Sequence, residues 1–256
     1  MQEILQSSGP IKTSKEATHL NDNLQATLTK LIQSGSWSNP ALHTIFTDYV
    51  KYHVVAVIAD SFFVAIVILL NMFFWTHWKK TPQTDTRKWT FEKRTYFAFR
   101  IMSGVVGLLI TFVVVVNVIT LIHPRPGFSL LVDELGTPKA GTPMAQLYQS
   151  FNTWLQSGST TMPSLVQSKL DERIAFNTII VIVSSIVLVV CVALSTLIWR
   201  TLLKRSRVRE AKWRLQERAL LVSGVATVAF SLLMLGVFEK YLQGALYPIT
   251  WTLAFG

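Results

Sequence analysis

Four apolar runs dominate the pattern of the chain: Val54 to Trp75, Ile101 to Ile122, Phe176 to Trp199 and Ala219 to Phe238. Each lacks Lys and Arg, and each has about the 20 residues a helix needs to cross a bilayer. The polar stretches before the first and third runs predict a short helix, a turn and a long helix. Asp22 or Asn23 is placed to cap a helix reaching Gln33, with Leu24, Leu28, Leu31 and Ile32 as its apolar positions. Thr142-Pro143 is placed to start the equivalent helix, with Ala145, Leu147, Phe151 and Leu155 on one face. Gly35 and Gly158 fall where a left-handed residue ends a helix. Asn39-Pro40 then supplies a cap and a first-turn proline, and Thr161 with Pro163 a similar start. Neither Pro nor Gly interrupts the chain from Pro40 to Trp75 or from Ser164 to Trp199. A helix of such length spans roughly 55 Å, so some 20 Å is expected to stand beyond a hydrocarbon core about 30 Å thick.

The two polar stretches also match each other. Leu31-Ile32-Gln33-Ser34-Gly35-Ser36, Pro40 and Leu42 align with Trp154-Leu155-Gln156-Ser157-Gly158-Ser159, Pro163 and Leu165 at an offset of 123, as does Asp48 with Asp171. At an offset of 124, Trp75 meets Trp199, Lys80 meets Lys204, and Lys88-Trp89 meets Lys212-Trp213. At 120, Ser103-Gly104-Val105 meets Ser223-Gly224-Val225. Rare residues recurring in order indicate an internal duplication, and same-topology halves imply a pseudo-two-fold axis along the membrane normal, unlike an inverted repeat. The expected organisation is a flexible tail (1–21), a first unit (22–122), a Pro/Gly-rich outer connector (123–141) holding the apolar patch Phe128 to Val132, a second unit (142–238), and an interfacial aromatic tail (239–256) with Tyr247, Trp251 and Phe255 at four-residue spacing.

Composition and charge set the environment. The chain is 50% hydrophobic and only 15% charged, which is an oily balance for a soluble domain of 256 residues. Disordered, collagenous and disulfide-framework classes are excluded, the single cysteine, Cys191, lying inside an apolar run. The formal charge of +10 invites a nucleic-acid reading, but fifteen of the 24 Lys and Arg lie between spans one and two or three and four. Only four of the 14 acids share those connectors, so the positive-inside rule places both inside and both termini outside. The basic connectors also face anionic lipid, and no nucleic-acid partner is expected. Met1 to Lys15 lacks the pattern of a signal peptide. Absence of an outer glycosylation sequon favours a bacterial plasma membrane.

Asp60 is the only acid within the spans and the sharpest candidate for a proton or cation site, with Ser61, Asn71 and Asn117 as its expected neighbours. Its counterpart in the second half is Ser184. Ser103, Gly107 and Thr111 in span two, and Ser223, Thr227 and Ser231 in span four, form small-residue stripes suited to helix packing or a lined path. The outer turn Gln33, Ser34, Gly35, Ser36, Pro40 and its partner Gln156, Ser157, Gly158, Ser159, Pro163 suit capping first and ligand recognition second. Asp48 and Asp171 suit a solvated face better than a shared cation. No metal-ligand spacing, phosphate loop or nucleophile elbow is present, and a triad of His43, Asp48 and Ser36 has no spacing to recommend it.

These observations predict an all-α membrane protein, with four transmembrane helices in two tandem same-topology repeats and an extracytoplasmic helical cap. No cofactor and no catalytic residue is expected. The leading expectation is a non-enzymatic subunit or scaffold engaging another membrane or extracytoplasmic protein, or a second copy of itself, through the outer helices. The alternative is a small transporter or channel using the stripes of spans two and four with Asp60. An enzymatic role at the outer leaflet ranks third.

Overall fold

The computed structural model describes residues 24–80, 91–136, 138–208 and 215–255. The tail with its caps Asp22 and Asn23, and the connector pairs Lys88-Trp89 and Lys212-Trp213, lie outside the described residues. All regular structure among the described residues is helical: α1 (24–33), α2 (Pro40–Lys80), α3 (Phe91–Ile122), α4 (Pro124–Asp133), α5 (Pro143–Ser157), α6 (Ser164–Val208), α7 (Leu215–Leu246) and α8 (Pro248–Phe255). Among them α2, α3, α6 and α7 are long and apolar enough to cross a membrane, which makes the chain an integral membrane protein.

The chain divides into two compact units. The first takes the chain through Val50, His123–Arg173 and Tyr247–Gly256. Its core joins Leu24 and Leu28 of α1, Leu42 and Ile45 of α2, Phe128 and Val132 of α4, Phe151 and Trp154 of α5, Val166 of α6, and Ile249 and Leu253 of α8. Fully buried apolar side chains of this size each stabilise by about 1.5–3 kcal/mol.

Local chemistry sets the helix ends in this unit. Gly35 has φ 67, Ser36 N–H reaches Leu31 C=O at 3.0 Å and Gly35 N–H reaches Ile32 C=O at 3.1 Å. That is the two-bond Schellman ending, open to glycine because a positive φ carries no Cβ penalty. Gly158 has φ 61 and ends α5 with one bond, from its N–H to Trp154 C=O at 3.1 Å. The carbonyl this simpler ending leaves open, that of Leu155, is reached instead by Asn39 Nδ2 at 2.9 Å. Asn39 meanwhile caps α2, its Oδ1 accepting from Leu42 N–H at 3.1 Å. At the start of α6 the arrangement differs from the expectation, since the helix begins at Ser164 and the Thr161 hydroxyl pairs with Ser159 Oγ at 2.8 Å.

Two further segments depart from the sequence reading. Inside the connector, Pro124 and Pro126 occupy the first turn of α4, where a helix needs no N–H from them, and Phe128 packs edge-on against Phe46 and Tyr49 at 5.5 and 5.4 Å. In the aromatic tail Trp251 is turned into protein while Phe255 is exposed. After α7 runs on to Leu246, α8 buries Ile249, Trp251 and Leu253 in protein. Its start is held from a distance, Asp48 Oδ2 accepting from both Thr250 N–H and Thr250 Oγ1 at 2.8 Å.

The second unit comprises Lys51–Ile122 and Ile174–Leu246. Its distribution of polarity is inverted relative to a soluble bundle. Phe62 is 64% exposed and Leu108 73%, while Asp60, Ser103, Asn177, Ser184 and Ser195 are buried. Apolar faces of this extent require lipid, and polar side chains turned inward escape it.

Candidate functional site

Asp60 stands on the inward side of α2, only 4% exposed. Glu239, near the end of α7, lies close enough to Asp60 for the two carboxyls to interact. Two bare carboxylates close together in a low dielectric repel each other. Tyr52, about two turns back on α2, lies in the neighbourhood of both. A pair of carboxyls so placed can take up a proton or a small cation. Among the described residues there is no group of three His, Cys, Asp or Glu side chains suited to a metal ion.

The neighbours expected from sequence are elsewhere. Ser61 is exposed, adjacent residues on a helix facing different ways. Asn71, three turns further along α2, donates from Nδ2 to Arg100 C=O at 2.9 Å and to Ser103 Oγ at 3.0 Å. Asn117 pairs through Oδ1 with His53 Nδ1 at 2.7 Å, while its Nδ2 donates to Val113 C=O. With the oxygen accepting, the His53 ring carries its hydrogen on Nδ1. Glu239 was missed because it follows the apolar run ending at Phe238, where nothing in the sequence separates a buried acid from a solvated one. On α6, Asn177 and Ser184 are also buried, at 2% and 3% exposure, and the Asn177 Nδ2 has no hydrogen-bond partner.

Of the span-two stripe, Ser103 and Gly107 face α2. A Cβ at Gly107 would stand 3.1 Å from Val67, and Ser103 meets Asn71, so that face of α3 lies against α2. A Cβ at Gly224 would stand 3.1 Å from the Trp199 indole, placing that face of α7 against α6. Thr111, Thr227 and Ser231 return their hydroxyls to their own helices, at Gly107, Gly224 and Thr227 carbonyls, and Ser223 is exposed.

The outer turns are occupied likewise. Ser34 Oγ bonds to Leu31 C=O and to Ser36 Oγ, Ser157 Oγ donates to Trp154 C=O, and Gln156 Nε2 reaches Asn152 Oδ1. Gln33 is exposed, Pro40 opens α2 and Pro163 precedes α6. Asp48, engaged by Thr250, is not placed as a member of a triad with His43, whose Nδ1 meets Thr47 Oγ1 at 3.4 Å. Comparison with protein-family models, with characterised proteins and with solved structures gives no match.

Proposed function

We propose that this chain is a non-enzymatic membrane subunit or scaffold that engages another membrane or extracytoplasmic protein through the unit built on α1, α4, α5, α8 and the first turns of α2 and α6. The observation that carries this reading is that the unit has an apolar core of its own, drawn from three separate stretches of chain. A helix pair serving only to anchor would need no such core. The concentration of Lys and Arg in the connectors supports placing this unit and both termini outside, on a bacterial plasma membrane. Matching residues at offsets of 123 and 124 support two tandem repeats of one topology.

The test is extraction in mild detergent, mass determination of the intact particle, and identification of polypeptides held at fixed ratio. A stoichiometric partner whose binding is lost on substitution of exposed residues of α5, such as Gln149 and Thr153, is the expected result. Substrate-dependent flux or turnover by the purified chain alone overturns it.

The proximity of the buried Asp60 to Glu239 favours a second reading, a small transporter or channel. Under that reading, D60N and E239Q each abolish pH-driven flux in proteoliposomes. Unchanged flux removes the pair from any transport role.

A further inference from the structure

We propose that the unit of four long helices binds an anionic phospholipid, with an acyl chain in the cleft between α2, α3, α6 and α7 and the phosphate held by Arg94 and Arg200. This site stands apart from the carboxyl pair and holds under either functional reading.

The cleft has two compartments of about 530 and 520 Å³, a size common to ligand pockets, which span roughly 300–1,000 Å³. They share Phe99, Met102, Trp199 and Leu232 as walls, and Phe99 meets Trp199 edge to face at 4.6 Å. Three of the hydroxyls along the space, those of Thr95, Thr196 and Ser103, are already bonded to backbone. Thr95 Oγ1 donates to Phe91 C=O, Thr196 Oγ1 to Val192 C=O and Ser103 Oγ to Arg100 C=O. The interior thus offers dispersion contacts to hydrocarbon and few free groups to a polar solute.

Charge at the edge supplies the second half of the argument. Arg200 borders one compartment and Arg94 the other. Both side chains are exposed, and among the described residues neither guanidinium is engaged by an ion pair or hydrogen bond. Arg100, nearly two helical turns from Arg94, shows the contrast, since its guanidinium lies 3.4 Å over the Trp75 ring. A guanidinium matches a phosphodiester through paired N–H···O bonds, and membrane arginines with no acid beside them find that partner in a lipid headgroup. The further Lys and Arg of the same connectors raise the local concentration of anionic lipid. Apolar walls joined to unpaired cations fit a two-part amphiphile, and a soluble phosphate ester would use only the rim.

The full chain, reconstituted in phosphatidylcholine nanodiscs containing phosphatidylglycerol, is to be released and examined by native mass spectrometry for retained lipid. Phosphatidylglycerol is expected to be retained over phosphatidylcholine at matched mole fraction. R94Q/R200Q is expected to reduce that preference, by about fivefold for each arginine. M102W, which fills the cleft with both arginines intact, is expected to reduce retention of the lipid itself. Folding is checked by helical circular dichroism; should M102W misfold, the exposed R94Q/R200Q pair still decides the outcome. Equal retention of both lipids marks annular lipid only and overturns the proposal, as does undiminished preference in R94Q/R200Q. Displacement of phosphatidylglycerol by glycerol phosphate alone would assign the rim to a soluble phosphate and overturn it equally.

Discussion

Asp48 on α2 and Thr250 on α8, 202 positions apart, are joined by two hydrogen bonds of 2.8 Å to a single carboxylate oxygen. The carboxylate does for α8 what an N-cap side chain does within a helix, and the helix dipole adds to the attraction. Asp48→Ala is expected to cost about 1–2 kcal/mol, and Asp48→Asn less, because an amide oxygen still accepts. Thermal unfolding followed by tryptophan fluorescence measures both. Equal midpoints for wild type and Asp48→Ala would show that α8 is held by its apolar side chains alone.

Asn39 serves two helix ends at once, accepting from Leu42 N–H and donating to Leu155 C=O. Asn39→Ser keeps the acceptor and gives up the donor, with an expected loss of about 1 kcal/mol. Asn39→Asp also keeps the cap but sets a carboxylate against a carbonyl oxygen, so it is expected to be less stable than Asn39→Ser. The reverse order in chemical denaturation would place the Leu155 contact outside the energetics of the fold.

Glycines on α7 offer an internal control. A Cβ at Gly224 would stand 3.1 Å from Trp199 Cε2 and 3.2 Å from Ile198, whereas nothing lies within 4 Å of one at Gly236. Gly236→Ala is expected to be neutral or to gain up to about 1 kcal/mol in helix propensity. Gly224→Ala gains the same propensity yet is expected to lose about 1–2 kcal/mol net through overpacking. The two melting temperatures, taken in one detergent, check the contrast; matching shifts would deny the close approach of α6 and α7.

The carboxyl pair predicts non-additivity. Asp60→Leu strands the Glu239 carboxyl and is expected to cost about 1–3 kcal/mol, while Asp60→Asn leaves it a partner. In the double variant D60L/E239L neither polar group remains, so part of the loss is expected to return. Measured unfolding energies that simply add would separate the two side chains.

Much of this was legible in the sequence because the bilayer imposes a length. Runs such as Ile101 to Ile122 and Ala219 to Phe238 have no comparable use in a domain of this size, and they correspond to α3 and α7. Helix ends coded by neighbours in sequence were legible too, Gly35 and Gly158 having the positive φ that their positions call for. What escaped depends on distant pairing. Trp251 and Phe255 have the spacing of an interfacial strip, yet Trp251 is buried in protein while Phe255 is exposed. The partner of Asp60 lies on another helix, at a boundary where an acid is unremarkable in composition. Asn71 and Asn117 match Asp60 by type, but three turns of α2 lie between Asn71 and Asp60, and Asn117, on α3, meets His53 instead.

The role of α8 also bears on how the molecule comes into being. Its residues Ile249 and Leu253 complete a core begun by Leu24 and Leu28, yet they are synthesised after every one of the four long helices. The earlier stretches can pack on one another, but the part of the core that α8 covers must wait until the last long helix has been made. Any chaperone acting on this chain has its window there, and the docking of α8 is the event that closes it.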